Sequence, residues 1–132
     1  MPTTTVETAV RDAVDDLLAS MHSGDREGLR RRLSADPGAV HIGTDPEEWW
    51  SSEDVVSNLG NVSEAGVRTT VDEMSVHPVS EDAAWFAGTG RFIGDGVEVR
   101  YRMSGVAVRE GERFVFVNSH VSIGVPNDEL FE

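Results

Sequence analysis

The chain has no cysteine and no lysine. Without cysteine it cannot form a disulfide, a thiolate nucleophile or a cysteine-ligated metal site, and the absence fits a reducing compartment. Long apolar runs are also missing. The N-terminus shows no signal-like apolar stretch, and no segment approaches the roughly 20 apolar residues of a membrane-spanning helix, so the sequence reads as soluble and cytoplasmic. All 11 basic residues are arginine, set against 24 acidic ones, for a formal charge of -13. Such a surplus repels nucleic-acid phosphates and anionic bilayers, so neither is expected as a partner. A dense carboxylate surface without lysine suits a protein working in high salt, where screening relieves self-repulsion. A GC-rich genome favouring arginine codons is the competing explanation for the missing lysine.

What is present is patterned. At 132 residues the chain is expected to form one domain, residues 1–132, large enough to bury a core without metal or disulfide staples. Thr4 and Glu7 have the spacing of a capping box, and Val6, Val10, Ala13, Val14, Leu17, Leu18 and Met21 then trace one face of a 3.6-residue period. "SGD" at Ser23 to Asp25 breaks this helix and offers an N-cap for a second, running through Leu29 and Leu33 to the "DPG" turn. Ser51 and Asp54 can cap a third helix carrying Val55, Val56 and Leu59. After about residue 66 the grammar changes. Residues 67–79, 83–92, 97–109 and 113–123 are rich in β-branched and aromatic residues and are separated by "SED", "GDG" and "EGE" turns, which predicts four strands joined as hairpins. Helices followed by an antiparallel meander describe an α+β domain.

The order of these parts, the phrase "IGTDPEEWW" and the ending "SHVSIGVPN" resemble the SnoaL-like branch of the nuclear transport factor 2-like superfamily, over about Val6 to Asn127. The resemblance implies a cone-shaped α+β barrel, with three N-terminal helices packed on a strongly curved, mainly antiparallel sheet around a pocket, and commonly a homodimer through the outer sheet face. It also implies a range of functions, from ketosteroid isomerases, polyketide cyclases and dehydratases to members that only bind or assemble. The isomerase pattern of a tyrosine and a protonated aspartate with an aspartate base has no clear match around Tyr101, the single tyrosine.

Within that frame, strict alternation puts Phe114, Phe116, Asn118, His120 and Ser122 on one face of the last strand, changing from aromatic to polar as a barrel wall would towards its mouth. His120 is the leading candidate for general acid or base, because an unperturbed imidazole titrates near pH 6.5. Arg102 or Asn118 would steady charge developing on a substrate oxygen. His41, Trp49, Trp50, Trp85 and Ser122 complete the candidate ligand-binding set. Each has a plainer reading. The histidine can be structural or exposed, a strand arginine usually pairs with surface carboxylates, and Trp85 suits an ordinary core equally well. His41 and Asp45 flank a glycine but lack a third ligand at metal-binding spacing, so no metal is expected. Asp45 is expected to start a turn, and the "NVS" sequon at Asn61 to Ser63 is taken as chance.

Trp49 and Trp50, being adjacent, cannot point the same way on a regular element; one is expected to close the pocket or core and the other to cover a helix or subunit contact. The expected function is binding of a small apolar or carbonyl-containing molecule, with proton transfer beside the carbonyl as its catalytic form. Such chemistry needs no cofactor. The alternative is a non-catalytic dimeric module for ligand binding or assembly. High-salt adaptation predicts that the melting temperature rises steeply as salt increases from about 0.1 to 3 M, as screening relieves carboxylate repulsion; a flat profile would leave codon usage as the explanation.

Overall fold

The computed structural model describes residues 3–60 and 66–131. Helix α1, Thr3–Ser23, follows the apolar stripe read from the sequence: Val6, Val10 and Ala13 are fully buried and Val14 nearly so. The side chain of Thr4, and with it the capping box, lies outside the described residues, as does the sequon. Helix α2, Arg26–Arg30, begins where "SGD" predicted, with the Gly28 amide donating to Asp25 Oδ1 at 2.9 Å. It stops earlier than expected. The backbone of Arg32 to Ser34 is taken up by Phe116, which donates to the Arg32 carbonyl at 2.8 Å and accepts from the Ser34 amide at 3.0 Å. Leu33 therefore lies beside Phe116 as an isolated bridge and not in a helix.

Strand β1 is Val40–Ile42 and β2 is Trp49–Trp50. Helix α3, Ser52–Ser57, carries the expected capping box, Ser51 and Asp54 each accepting from the other's amide at 3.1 Å. Four long strands follow: β3 (Arg68–Pro78), β4 (Ala83–Gly94), β5 (Val97–Glu110) and β6 (Arg113–Ser122). A short helix α4, Asn127–Leu130, lies beyond them. The sheet order is β2-β1-β6-β5-β4-β3, antiparallel except where β1 runs parallel to β6. The sheet curls but does not close, so the architecture is an α+β open cone rather than a barrel sealed by hydrogen bonds.

Helix α1 lies in the concave face. Its valines pack against Val76, Ala84, Phe86, Ala107, Phe114 and Phe116 in one continuous core. A second cluster, Leu29, Leu33, Val56 and Leu59, seats α2 and α3 at the side of α1. The curvature depends on glycines where rings lie flat on the strands. A Cβ at Gly90 would come within 1.9 Å of the Thr70 carbonyl and 2.4 Å of the Tyr101 hydroxyl, which itself donates to that carbonyl at 2.6 Å.

One irregularity in β6 decides what the cone contains. Val106 pairs with Asn118, but the next residue, Ala107, pairs with Phe116, leaving Val117 as an extra residue in a β-bulge. Inserting one residue reverses the inward and outward alternation. Phe114 and Phe116 face inward before the bulge, and Ser119 and Val121, opposite Gly105 and Met103, face inward after it. The expected single face from Phe114 to Ser122 is thereby corrected: Asn118, His120 and Ser122 share the convex side with Val106, Ser104 and Arg102.

Candidate functional site

Between α1 and the concave face lies a cavity of about 210 Å³. Leu17, Leu18 and Met21 of α1 roof it, while Phe86, Phe92, Tyr101, Met103 and Phe116 form the sheet wall. Its inward polar side chains are few, His41, Thr44, Thr69, Tyr101 and Ser119, with His120 at the rim. Among the described residues that line it, none carries a carboxylate, and none is an arginine. A charged molecule would leave water there without a counter-ion, at a cost of several kcal/mol, so the cavity suits a neutral guest.

The polar centre of the cavity is His41. Strand β1 brings it in because its parallel pairing with β6 sets His41 opposite Ser119, and its antiparallel pairing with β2 sets it opposite Trp50. His41 is only 6% exposed. Its Nδ1 lies 2.8 Å from Ser119 Oγ and its Nε2 lies 3.1 Å from Ser52 Oγ. Both ring nitrogens are thus satisfied, as a buried imidazole requires. Burial lowers its pKa below the ordinary histidine value, because the cationic form loses hydration and gains no carboxylate partner here. At neutral pH the ring is uncharged. Burial acts in the opposite direction on Tyr101, raising its phenol further, so that group also stays neutral.

The residues singled out in the sequence separate. His41, Trp50 and His120 border this cavity. His120 does so only at the rim: it is exposed, and it also borders a second cleft of about 310 Å³ with Trp49, Ser122 and Asp45. Ile42, Gly43, Thr44, His120 and Val121 border both spaces, so the mouth of the cavity lies between the end of β1 and the end of β6. Trp50 is half-buried on the cavity wall, as one of the pair was expected to be, whereas Trp49 is 71% exposed at the outer cleft and covers no helix.

Trp85, Arg102 and Asn118 are corrected: all three lie on the convex face, away from the cavity. Trp85 stacks on His77, with ring centroids 3.8 Å apart. Arg102 donates to Ser122 Oγ at 3.2 Å, and Asn118 donates to the Val40 carbonyl at 3.3 Å, where it holds the β1–β6 seam. Strand arginines that pair with carboxylates are Arg91, held between Asp72 and Glu98, and Arg109, on Asp82. Asp45 starts its turn as expected, accepting from the Glu47 amide at 2.9 Å.

Ser119 and Ser52 were not singled out in the sequence. Strict alternation leaves Ser119 off the face from Phe114 to Ser122 that was read as the barrel wall, and only the bulge turns it inward. Ser52 looks like a helix-start residue, yet its neighbour Ser51 supplies the cap and leaves the Ser52 hydroxyl for His41.

The depressed pKa of His41 ties folding to pH with a definite sign. The unfolded ring, with its ordinary pKa near 6.5, binds a proton more readily than the folded one, so stability is full above about pH 6.5 and declines as pH falls towards the folded-state value. Thermal melting of the wild type should drop between about pH 7 and 5 by more than that of His41→Gln, whose amide stays neutral. Parallel curves for the two proteins would remove the imidazole as the cause.

Comparison with known proteins agrees with this geometry. A family model described as a SnoaL-like domain matches residues 10–126. A sequence comparison with curated proteins finds no match. Among solved structures, an NTF2-like protein of unknown function from Pseudomonas putida KT2440 superposes with a TM-score of 0.80 at 12% identity, over 96% of this chain and 92% of that one. An NTF2-like superfamily protein from Salmonella enterica serovar Typhimurium LT2 gives 0.79 at 17% identity, over 95% of each chain. A protein from Xanthomonas campestris, described as a candidate calcium/calmodulin-dependent protein kinase II association domain, gives 0.74 at 19% identity, over 87% of this chain and 85% of that one. At these identities the structural likeness speaks for the fold alone. With the family model matching residues 10–126, the chain belongs to the SnoaL-like domain family and has the fold of NTF2-like proteins.

Proposed function

We propose that this SnoaL-like chain binds a small, neutral, largely apolar molecule in the concave cavity, and that the Ser119 hydroxyl, oriented by His41, holds a carbonyl oxygen of that ligand. The observation that carries this reading is a half-buried hydroxyl paired with a buried imidazole in a largely apolar wall. A single oriented donor in a dry site discriminates strongly between a ligand with a hydrogen-bonding oxygen and one without.

The catalytic form of the reading moves a proton beside that carbonyl, as isomerases, cyclases and dehydratases do. The lowered pKa of His41 favours it, because an uncharged imidazole is available as a base at neutral pH. In this form the acid/base role passes from His120, which is exposed at the rim, to His41 acting through Ser119, whose Oγ takes the substrate proton as its own passes to Nδ1. No cofactor is called for by this chemistry.

The same reading takes the protein as a homodimer joined through the convex sheet face. Support comes from Trp85, 48% exposed, and Val106, 36% exposed, which are paired across β4 and β5 in the middle of that face. The Xanthomonas protein of similar fold, described as an association domain, is in keeping with assembly through this architecture.

The binding test is a titration followed by tryptophan fluorescence, since Trp50 lines the cavity. A hydrophobic ketone should bind the wild type, and Ser119→Ala should weaken it by roughly 3- to 10-fold, as expected for one hydrogen bond, while the matching hydrocarbon is unaffected. No ketone binding to the wild type, or equal loss for both ligands, would contradict the reading. For assembly, analytical ultracentrifugation should show a dimer that Trp85→Arg converts to a folded monomer; a wild-type monomer would overturn the dimer.

A further inference from the structure

The two serines on His41 open onto different spaces. Ser119 lines the apolar cavity, whereas Ser52 lines a separate cleft of about 320 Å³ on the other side of the imidazole, bordered also by Arg30, Asp36, Ser51 and Glu53. His41 is itself almost wholly buried, so it stands as a partition with one ring nitrogen towards each space. A neutral imidazole has one N–H and one bare nitrogen, so its two serine contacts cannot be alike: the ring donates to one hydroxyl and accepts from the other. The three groups therefore form a chain whose polarity is set by the tautomer.

We propose that Ser52, His41 and Ser119 form a proton relay between the surface cleft beside α3 and the buried cavity, with Ser52 as the positioning residue that feeds the imidazole. With the proton on Nδ1, Ser52 donates to Nε2, Nδ1 donates to Ser119 Oγ, and the Ser119 hydroxyl is free to donate into the cavity. Delivering that hydroxyl proton to a base in the cavity leaves Ser119 Oγ to take the Nδ1 proton. Nε2 then takes the Ser52 proton, and Ser52 is replenished by a water proton from the cleft. One proton enters at Ser52, one leaves at Ser119, and no net charge stays on the ring. The chain ends in the opposite polarity, with Nε2 donating to Ser52 and Ser119 able to accept from the cavity, so the reverse passage follows the same bonds. The cleft end is acidic and wet. Glu53 is exposed and held by Arg30 at 2.8 Å, and the Asp36 carboxylate accepts from the Gly38 amide at 2.7 Å. The cavity end is largely apolar, so the relay gives the cavity a proton route to solvent separate from its mouth.

The relay rests on the reading of Ser119 as the cavity's polar group, but its test needs no ligand. Exchange of the His41 ring N–H with water is followed by nitrogen-15 NMR of histidine-labelled protein. Ser52→Ala should slow this exchange by about tenfold, and Ser52→Thr, which keeps a hydroxyl, should restore it. Ser119→Ala should leave it near the wild-type rate, because the solvent route enters through Ser52. Unchanged or faster exchange in Ser52→Ala would overturn the relay. Slower exchange in Ser119→Ala would also overturn it, by showing that protons enter through the cavity, and this arm holds even if Ser52→Ala fails to fold. A failure of ketone binding with an intact exchange pattern would remove the ligand assignment and leave the relay standing.

Discussion

The contents of this cone depend on the bulge at Val117. A regular β6 would carry Phe116 and Asn118 inward together and put Ser119 on the convex face, leaving His41 with one ring nitrogen unpaired in a buried position. The extra residue allows the lower half of the strand to supply aromatic core and the upper half to supply a hydroxyl and a valine, all to the same concave side. Bulges recur beside functional sites because they re-aim side chains without ending the strand. Here it joins the packed floor of the cone to its polar centre.

The second constraint is the cost of burying an imidazole among leucines, phenylalanines and methionines. His41 meets it by remaining neutral and by bonding at both nitrogens, and each bond draws on a different part of the fold. Ser119 arrives through the parallel β1–β6 pairing, Ser52 through the start of α3. The site is therefore a junction of three elements, and it is rigid because each of them is anchored elsewhere: β1 by Asn118, α3 by its capping box and the Leu29 cluster, and β6 by the core beneath α1. The surface charge is spent differently. Among the described residues, Arg11, Arg30, Arg32, Arg91 and Arg109 engage carboxylates in solvent-accessible pairs, which contribute little stability each.

Much of the architecture was legible in local pattern. The valine stripe of α1, the Asp25 and Ser51 caps and the four long strands rest on interactions within a few residues of chain, which is why spacing alone reveals them. The end of α2 was not, because Leu33 has helical spacing but its backbone is claimed by Phe116, more than eighty residues away. The site was legible only in part. His41 and the tryptophan pair stood out by composition, and adjacency dictated that Trp49 and Trp50 diverge. His120, Asn118, Arg102 and Trp85 were placed by strict alternation and by analogy with a pocket wall, and the convex face received all four, with only His120 reaching the cavity rim.

By itself, then, the amino-acid sequence determined the class of fold, the acidic lysine-free surface, and the presence of an amphipathic helix to fill a curved sheet, since these follow from composition and short-range periodicity. Tertiary structure alone decided which face of each strand is concave, that β1 inserts parallel to β6, and that His41 rather than His120 occupies the dry interior. A one-residue bulge reverses every side chain beyond it at almost no change in local sequence preference, and strand pairing across the chain is paid for by contacts that no local window contains.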